Sequence, residues 1–172
     1  MTLLVLSISG SDRPGLTNAL ASAVRTAGGN WLESHLSLLG GLYVGSVLIE
    51  LAERDVEVLR SSIASVDAQG LEVRIAPAHG VTSGSGEILE ISLVGQDQPG
   101  IVSLVTSAIG KLGANIETFE TWLSCEAHSG ASLFHMAACL RLTHGLSAAT
   151  VQSALEAISG EIMVDIEVVH KA

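Results

Sequence analysis

The chain has 172 residues, 48% of them hydrophobic and only 15% charged, with a mean hydropathy of +0.49 and a formal net charge of −10. Its eight basic residues are scattered singly and its aromatics amount to 3%, which argues against direct binding to a nucleic-acid backbone or stacking on bases. No apolar run approaches the roughly 18 residues of a membrane span, so the apolar excess points to buried sheet and to an interface between copies.

The first expected element is a strand in which Leu4, Leu6 and Ile8 alternate with Val5, Ser7 and Ser9. Gly10-Ser-Asp-Arg-Pro-Gly15 then makes a polar turn. Asp12 two residues before Pro14 reads as a helix start, with a side-chain cap followed by a ring that fixes φ in the first turn. Leu16, Leu20, Ala23, Val24 and Ala27 form the apolar stripe of that helix, and Gly28 supplies a left-handed stop. Two strands follow, from Asn30 to Leu39 and from Leu42 to Ala52, around a Gly40-Gly41 hairpin turn. Val56, Leu59, Ile63 and Val66 mark a second helix ended by Gly70, and Leu71 to Ile75 close the unit.

The second half repeats this course. Residues Ile88 to Ile116 align with Leu3 to Trp31 at a constant offset of 85, with ten identities in 29 positions and no gap. Gly95-Gln-Asp-Gln-Pro-Gly100 is the matching turn; Ile101, Val105, Ala108, Ile109 and Leu112 the matching stripe; Gly113 the matching stop. Strands from Asn115 to Ser124 and Ala131 to Leu142 flank a hairpin about four residues longer than the first. Leu146, Val151, Leu155 and Ile158 mark the last helix, with Ser147 as its cap and Gly160 as its end, before a strand from Ile162 to Val168.

An internal repeat of this length means a duplicated domain. The expected division is residues 1–77, a Gly/Ser-rich linker over 78–86, and residues 87–172. The order β-α-β-β-α-β, twice, implies an α+β chain of two ferredoxin-like units, each an antiparallel sheet with both helices on one face. The other face stays open. Either Tyr43, Val47 and Ile49 or Leu133 and Ala137 would point there, depending on register.

A unit of this size with Asp-x-Pro-Gly opening its first helix and Gly-x-Asn opening its second strand resembles the ACT domain. The residues carrying the match are Asp12-Arg13-Pro14-Gly15 with Gly28-Gly29-Asn30, and Asp97-Gln98-Pro99-Gly100 with Gly113-Ala114-Asn115. Tandem ACT chains of this length resemble the glycine cleavage system transcriptional repressor family. That resemblance implies a regulator with no DNA-binding domain of its own. It would contact a protein partner such as a DNA-bound activator, under the control of a small amino acid, with glycine or serine as candidates. It further implies ligand pockets lined by Asp12, Gly15, Leu16 and Asn30 and by Asp97, Gly100, Ile101 and Asn115, at a domain interface.

The physical basis for such a pocket is direct. A helix N-terminus offers unpaired N–H groups and the positive end of a dipole, glycine lets a ligand approach closely, and a carboxylate is the natural guest. Asn30 and Asn115 can donate and accept, an aspartate can hold an ammonium group, and Arg13 could grip a carboxylate in the first unit alone. Asp12 and Asp97 acting only as helix caps, and the asparagines only as turn residues, remain open at this point.

Cys125, His128, His135 and Cys139, with His144 beyond them, form a superficially metal-like pattern. The first half lacks it, so no metal or other cofactor is expected. No nucleophile, P-loop or dinucleotide motif occurs and no residues remain for a catalytic domain, so an enzyme is not expected. The rival readings are a ligand-free interaction module and a metal-binding or enzymatic ferredoxin-like protein. Cys125 and Cys139 form no paired motif and suit a reducing compartment, and no basic run precedes the first strand. A cytoplasmic homodimer without signal peptide, membrane or nucleic-acid contact is therefore expected.

Overall fold

The computed structural model describes the backbone of residues 1–67, 70–78, 86–125, 130–162 and 164–171, and their side chains other than those of 67, 159 and 161–171. Two compact units divide the chain, Met1–Thr82 and Ser83–Ala172. The first contains β1 (Thr2–Ser11), α1 (Leu16–Thr26), β2 (Asn30–Leu39), β3 (Leu42–Leu51), α2 (Val56–Asp67) and β4 (Leu71–Pro77), with a 3-10 turn at Glu53–Asp55. The second contains β5 (Ile88–Gln96), α3 (Ile101–Lys111), β6 (Asn115–Cys125), β7 (Ser132–Arg141), α4 (Ala148–Ile162) and β8 (Val164–Lys171). The sheets are ordered β2-β3-β1-β4 and β6-β7-β5-β8, antiparallel throughout, as a ferredoxin-like β-α-β-β-α-β chain requires.

Alternation dictates each core. Leu4, Leu6 and Ile8 of β1 point to the helices and meet Leu16, Leu20 and Val24 of α1 and Leu59, Ile63 and Val66 of α2. Leu6, Leu20, Ile49, Leu51, Leu59 and Leu71 are wholly buried. Each such side chain contributes about 1.5–3 kcal/mol relative to exposure. In the second unit Leu89, Ile91 and Leu93 meet Ile101, Val105, Ile109, Val151 and Leu155. Among the described residues no polar or charged side chain is buried.

Register decides the open faces. Val47 and Ile49 lie in the first core and Tyr43 packs against it, so all three belong to the helix side. Leu3, Val5, Val44 and Leu48 have the opposite parity and face outward. Leu133 and Ala137 do lie on the open face of the second sheet, since the buried residues of β7 are Phe134, Met136, Ala138 and Leu140. Parity could not be read from β3 alone because both of its faces carry apolar residues.

Several boundaries differ from expectation. Trp31 pairs with Ile49 and Ile116 with Leu140, so the offset of 85 in the first strands of the hairpins becomes 91 in the second: the later hairpin is six residues longer, not four. Helix α4 runs through Gly160 to Ile162, because a glycine costs a helix only about 1 kcal/mol and does not end it. The expected cap at Ser147 is present: its Oγ accepts the Thr150 N–H at 3.2 Å. Gly28 and Gly113 take φ of 72° and 73° after their helices. Both outer strands carry a bulge at the same place, between Trp31 and Glu33 and between Ile116 and Thr118. Residues 79–85 of the expected linker lie outside the described residues.

Candidate functional site

The two Asp-x-Pro-Gly loops have one geometry. Gly15 sits at φ 97°, ψ −5° and Gly100 at φ 99°, ψ −8°, the values of the third position of a type II turn with proline before it. The glycine is itself the N-cap residue. Its carbonyl accepts the first helical bond, from Ala19 N–H at 2.9 Å in one loop and from Leu104 N–H at 3.0 Å in the other.

Neither helix receives a side-chain cap. The capping role expected of Asp12 and Asp97 is therefore not what these residues do: the left-handed glycine moves the helix start beyond their reach. The first-turn N–H groups at Leu16–Asn18 and Ile101–Ser103 are the ones a helix leaves without an internal partner. Each loop rests on its neighbouring hairpin, with the Asp12 N–H directed at the Gly41 carbonyl (3.5 Å) and the Asp97 N–H donating to the Ser132 carbonyl (3.1 Å).

Asp12, Arg13, Gly15, Asp97 and Gly100 are exposed. The side chains of Leu16 and Ile101 are buried, so these two residues offer a ligand only their backbone. The Arg13 guanidinium lies over the turn into β4, its Nη2 3.6 Å from where a Cβ on Gly70 would stand. Gln98 occupies that position in the second loop.

Asn30 and Asn115 are exposed at the starts of β2 and β6. Within one unit they stand at the opposite end of the first helix from the Asp-x-Pro-Gly loop, across an 11-residue helix about 16 Å long. The structure thus brings Asp12, Gly15 and Leu16 together and leaves Asn30 apart, and likewise separates Asn115 from Asp97, Gly100 and Ile101. Surroundings differ as well. Asn30 is opposite Glu50, whereas Asn115 is opposite Arg141, which is ion-paired with Glu117.

None of these nine residues lines a described cavity. One cavity of about 470 Å³ lies on the open face of the first sheet, over Leu3, Val5, Leu48 and His35. A second, of about 390 Å³, lies between α1 and β2 and is lined by Arg25 and Trp31 among others. Sequence reasoning missed it; the available signal was that Arg25 and Trp31 have no like residues in the second half.

The metal-like pattern does not converge. His135 and Cys139 share the open face of β7 but stand four residues, about 13 Å, apart, too far to share an ion. His135 stacks on Trp122 with centroids 5.2 Å apart, and its Nε2 is 2.7 Å from Ser124 Oγ. Cys125 and His144 are exposed, and His128 lies outside the described residues. Among the described residues no cluster of three potential metal ligands occurs, and no helix is long and apolar enough to cross a membrane.

Residues 2–76 match the ACT domain family. The whole chain is similar in structure to an unknown protein from Galdieria sulphuraria, with a TM-score of 0.87, 29% identity and 99% of each chain covered. It is also similar to a candidate glycine cleavage system transcriptional repressor, with a TM-score of 0.71, 19% identity, and 99% and 97% of the two chains covered. No curated protein sequence gives a significant match. The match covers the first unit alone; the second repeats its fold, and the two-unit chain resembles that repressor in fold.

Proposed function

We propose that this tandem ACT protein senses a small amino acid and transmits its presence by changing its association with another protein. The observation that carries this reading is the pair of uncapped helix N-termini behind Gly15 and Gly100, alike to within 3° in φ and ψ. Each offers first-turn N–H groups to a carboxylate, with Asp12 or Asp97 close by for an ammonium group.

Asn30 and Asn115 join such a pocket when another copy of the chain brings the start of its β2 or β6 to the loop. Two copies acting together are therefore part of the reading. The net charge of −10 and the single, scattered cations suit a regulator that touches a DNA-bound protein rather than DNA, as in transcriptional control of glycine cleavage.

Thermal unfolding against a panel of amino acids, beginning with glycine and serine, tests this. A ligand at a hundredfold excess over its Kd adds about 2.7 kcal/mol. A selective rise in Tm that vanishes in Asn30→Ala or Asn115→Ala is the expected result. A flat panel, or a rise that survives both changes, removes this pocket and leaves a ligand-free interaction module.

A further inference from the structure

The two units are copies, so a place where their side chains part company while the backbone does not is informative. The groove between α1 and β2 is such a place. In the first unit it is an open cavity of about 390 Å³, within the range of small-molecule sites, walled by Val24, Trp31 and Leu36. Trp31 and Leu36 are only half-buried there, packed on the core on one side and facing the cavity on the other. Thr17 and Ser34 bring the hydroxyls of its lining.

Arg25 stands at its rim, exposed, and makes no ion pair among the described residues. Arg54, Arg60, Arg74 and Arg141 all have acidic partners. Arg13 likewise makes no ion pair among the described residues, but of the two only Arg25 lines a described cavity together with an indole.

In the second unit the same backbone positions hold Gly110 for Arg25, Ile116 for Trp31 and Phe119 for Ser34. Phe119 packs against the second core, opposite the small Ala138, where Ser34 is opposite Val47. The second unit thus has a ring where the first has a hydroxyl, and no cation at the position of Arg25.

We propose that the α1–β2 groove of the first unit binds a small carboxylic acid with an aromatic or branched apolar body, its carboxylate on Arg25 and its body against Trp31, Val24 and Leu36, and that the second unit has lost or never had this site. A planar guanidinium suits a carboxylate through paired N–H bonds, and the apolar wall rejects short polar acids. The groove meets the Asp-x-Pro-Gly pocket only at Thr17, whose N–H belongs to that helix turn, and its other lining residues are distinct, so variants at Arg25 and Ser34 test it apart from the amino-acid reading.

The probe is phenylacetate, titrated into full-length protein carrying Trp122→Phe, so that Trp31 is the single tryptophan reporting. The expected result is a saturable change in Trp31 emission. Acetate and 2-phenylethanol, which each lack half of the ligand, bind at least about tenfold more weakly. Arg25→Gln, an exposed change that leaves the core alone, weakens phenylacetate by about tenfold. Ser34→Phe, which fills the groove as the second unit does, abolishes the response while unfolding stays cooperative. Asn30→Ala and Asp12→Ala leave it intact. Emission that never saturates, or a phenylacetate affinity unchanged by Arg25→Gln, overturns the proposal.

Discussion

The hydroxyls of Thr17 and Tyr43 lie 2.7 Å apart and tie the first turn of α1 to β3. In the second unit Val102 and Phe134 hold the same two positions, and neither carries a hydroxyl. Tyr43→Phe or Thr17→Val alone should each destabilise the protein by about 0.5–1.5 kcal/mol, since one hydroxyl is left without its partner. The double variant should cost less than the sum. Denaturant unfolding of the four proteins gives the coupling directly, and strict additivity would mean that the bond contributes nothing.

Gly15→Ala and Gly100→Ala should each cost about 1–2 kcal/mol although nothing lies within 4 Å of the added Cβ. The cost comes from φ near +100° alone. Loss of the same size at both sites, by urea unfolding, is expected; a neutral result at either would mean that the loop readily abandons this turn.

Removing a true cap and removing a false one should differ. Ser147→Ala should lose about 0.5–1 kcal/mol because the Thr150 N–H loses its side-chain acceptor and keeps only the Ser147 carbonyl at 3.0 Å. Asp12→Ala and Asp97→Ala should stay within about 0.5 kcal/mol of the parent, as neither helix has a side-chain cap to lose. Under the amino-acid reading the aspartate variants should nonetheless lose part of the Tm response to ligand. Stability and response together separate an architectural aspartate from a binding one.

Phe119→Ala should destabilise the second unit by roughly 2–4 kcal/mol, a little below a fully buried ring, and should open a groove like that of the first. If phenylacetate still fails to bind there, Arg25 rather than space is what the second unit lacks. Restoring both features, with Gly110→Arg added, should then create a response. Equilibrium unfolding reads the first effect, and calorimetric titration of phenylacetate into protein whose first groove is filled by Ser34→Phe reads the second.

The repeat made the architecture legible, because one pattern of alternation, turn and stripe, written twice, admits few folds. The Asp-x-Pro-Gly loops were also legible as helix starts. What a linear reading missed was where the cap falls. Asp12 and Pro14 have the spacing of cap and first turn, but a glycine free to turn left-handed takes the cap itself. The open face was ambiguous for a related reason: β3 has Val47 and Ile49 on one side and Val44 and Leu48 on the other, and only pairing with β1 chooses between them. The family resemblance groups Asn30 with Asp12, in a pocket at a domain interface; within one unit an 11-residue helix separates them. The groove escaped notice because Arg25 reads as an ordinary cation in a helix's last turn and Trp31 as an ordinary sheet residue.

The paired bulges have a consequence for how the protein behaves when crowded. Strands β2 and β6 form one side of their sheets and turn a row of amides outward, the usual seed for adding strand upon strand. Each bulge interrupts that row near its start and twists it, leaving only Glu33–Leu39 and Thr118–Cys125 regular. A template broken in this way can accept a neighbour but passes on a poor template in turn. Concentrated solutions should accordingly hold particles of countable size, and fibres should be absent, despite a sequence in which nearly half the residues are hydrophobic.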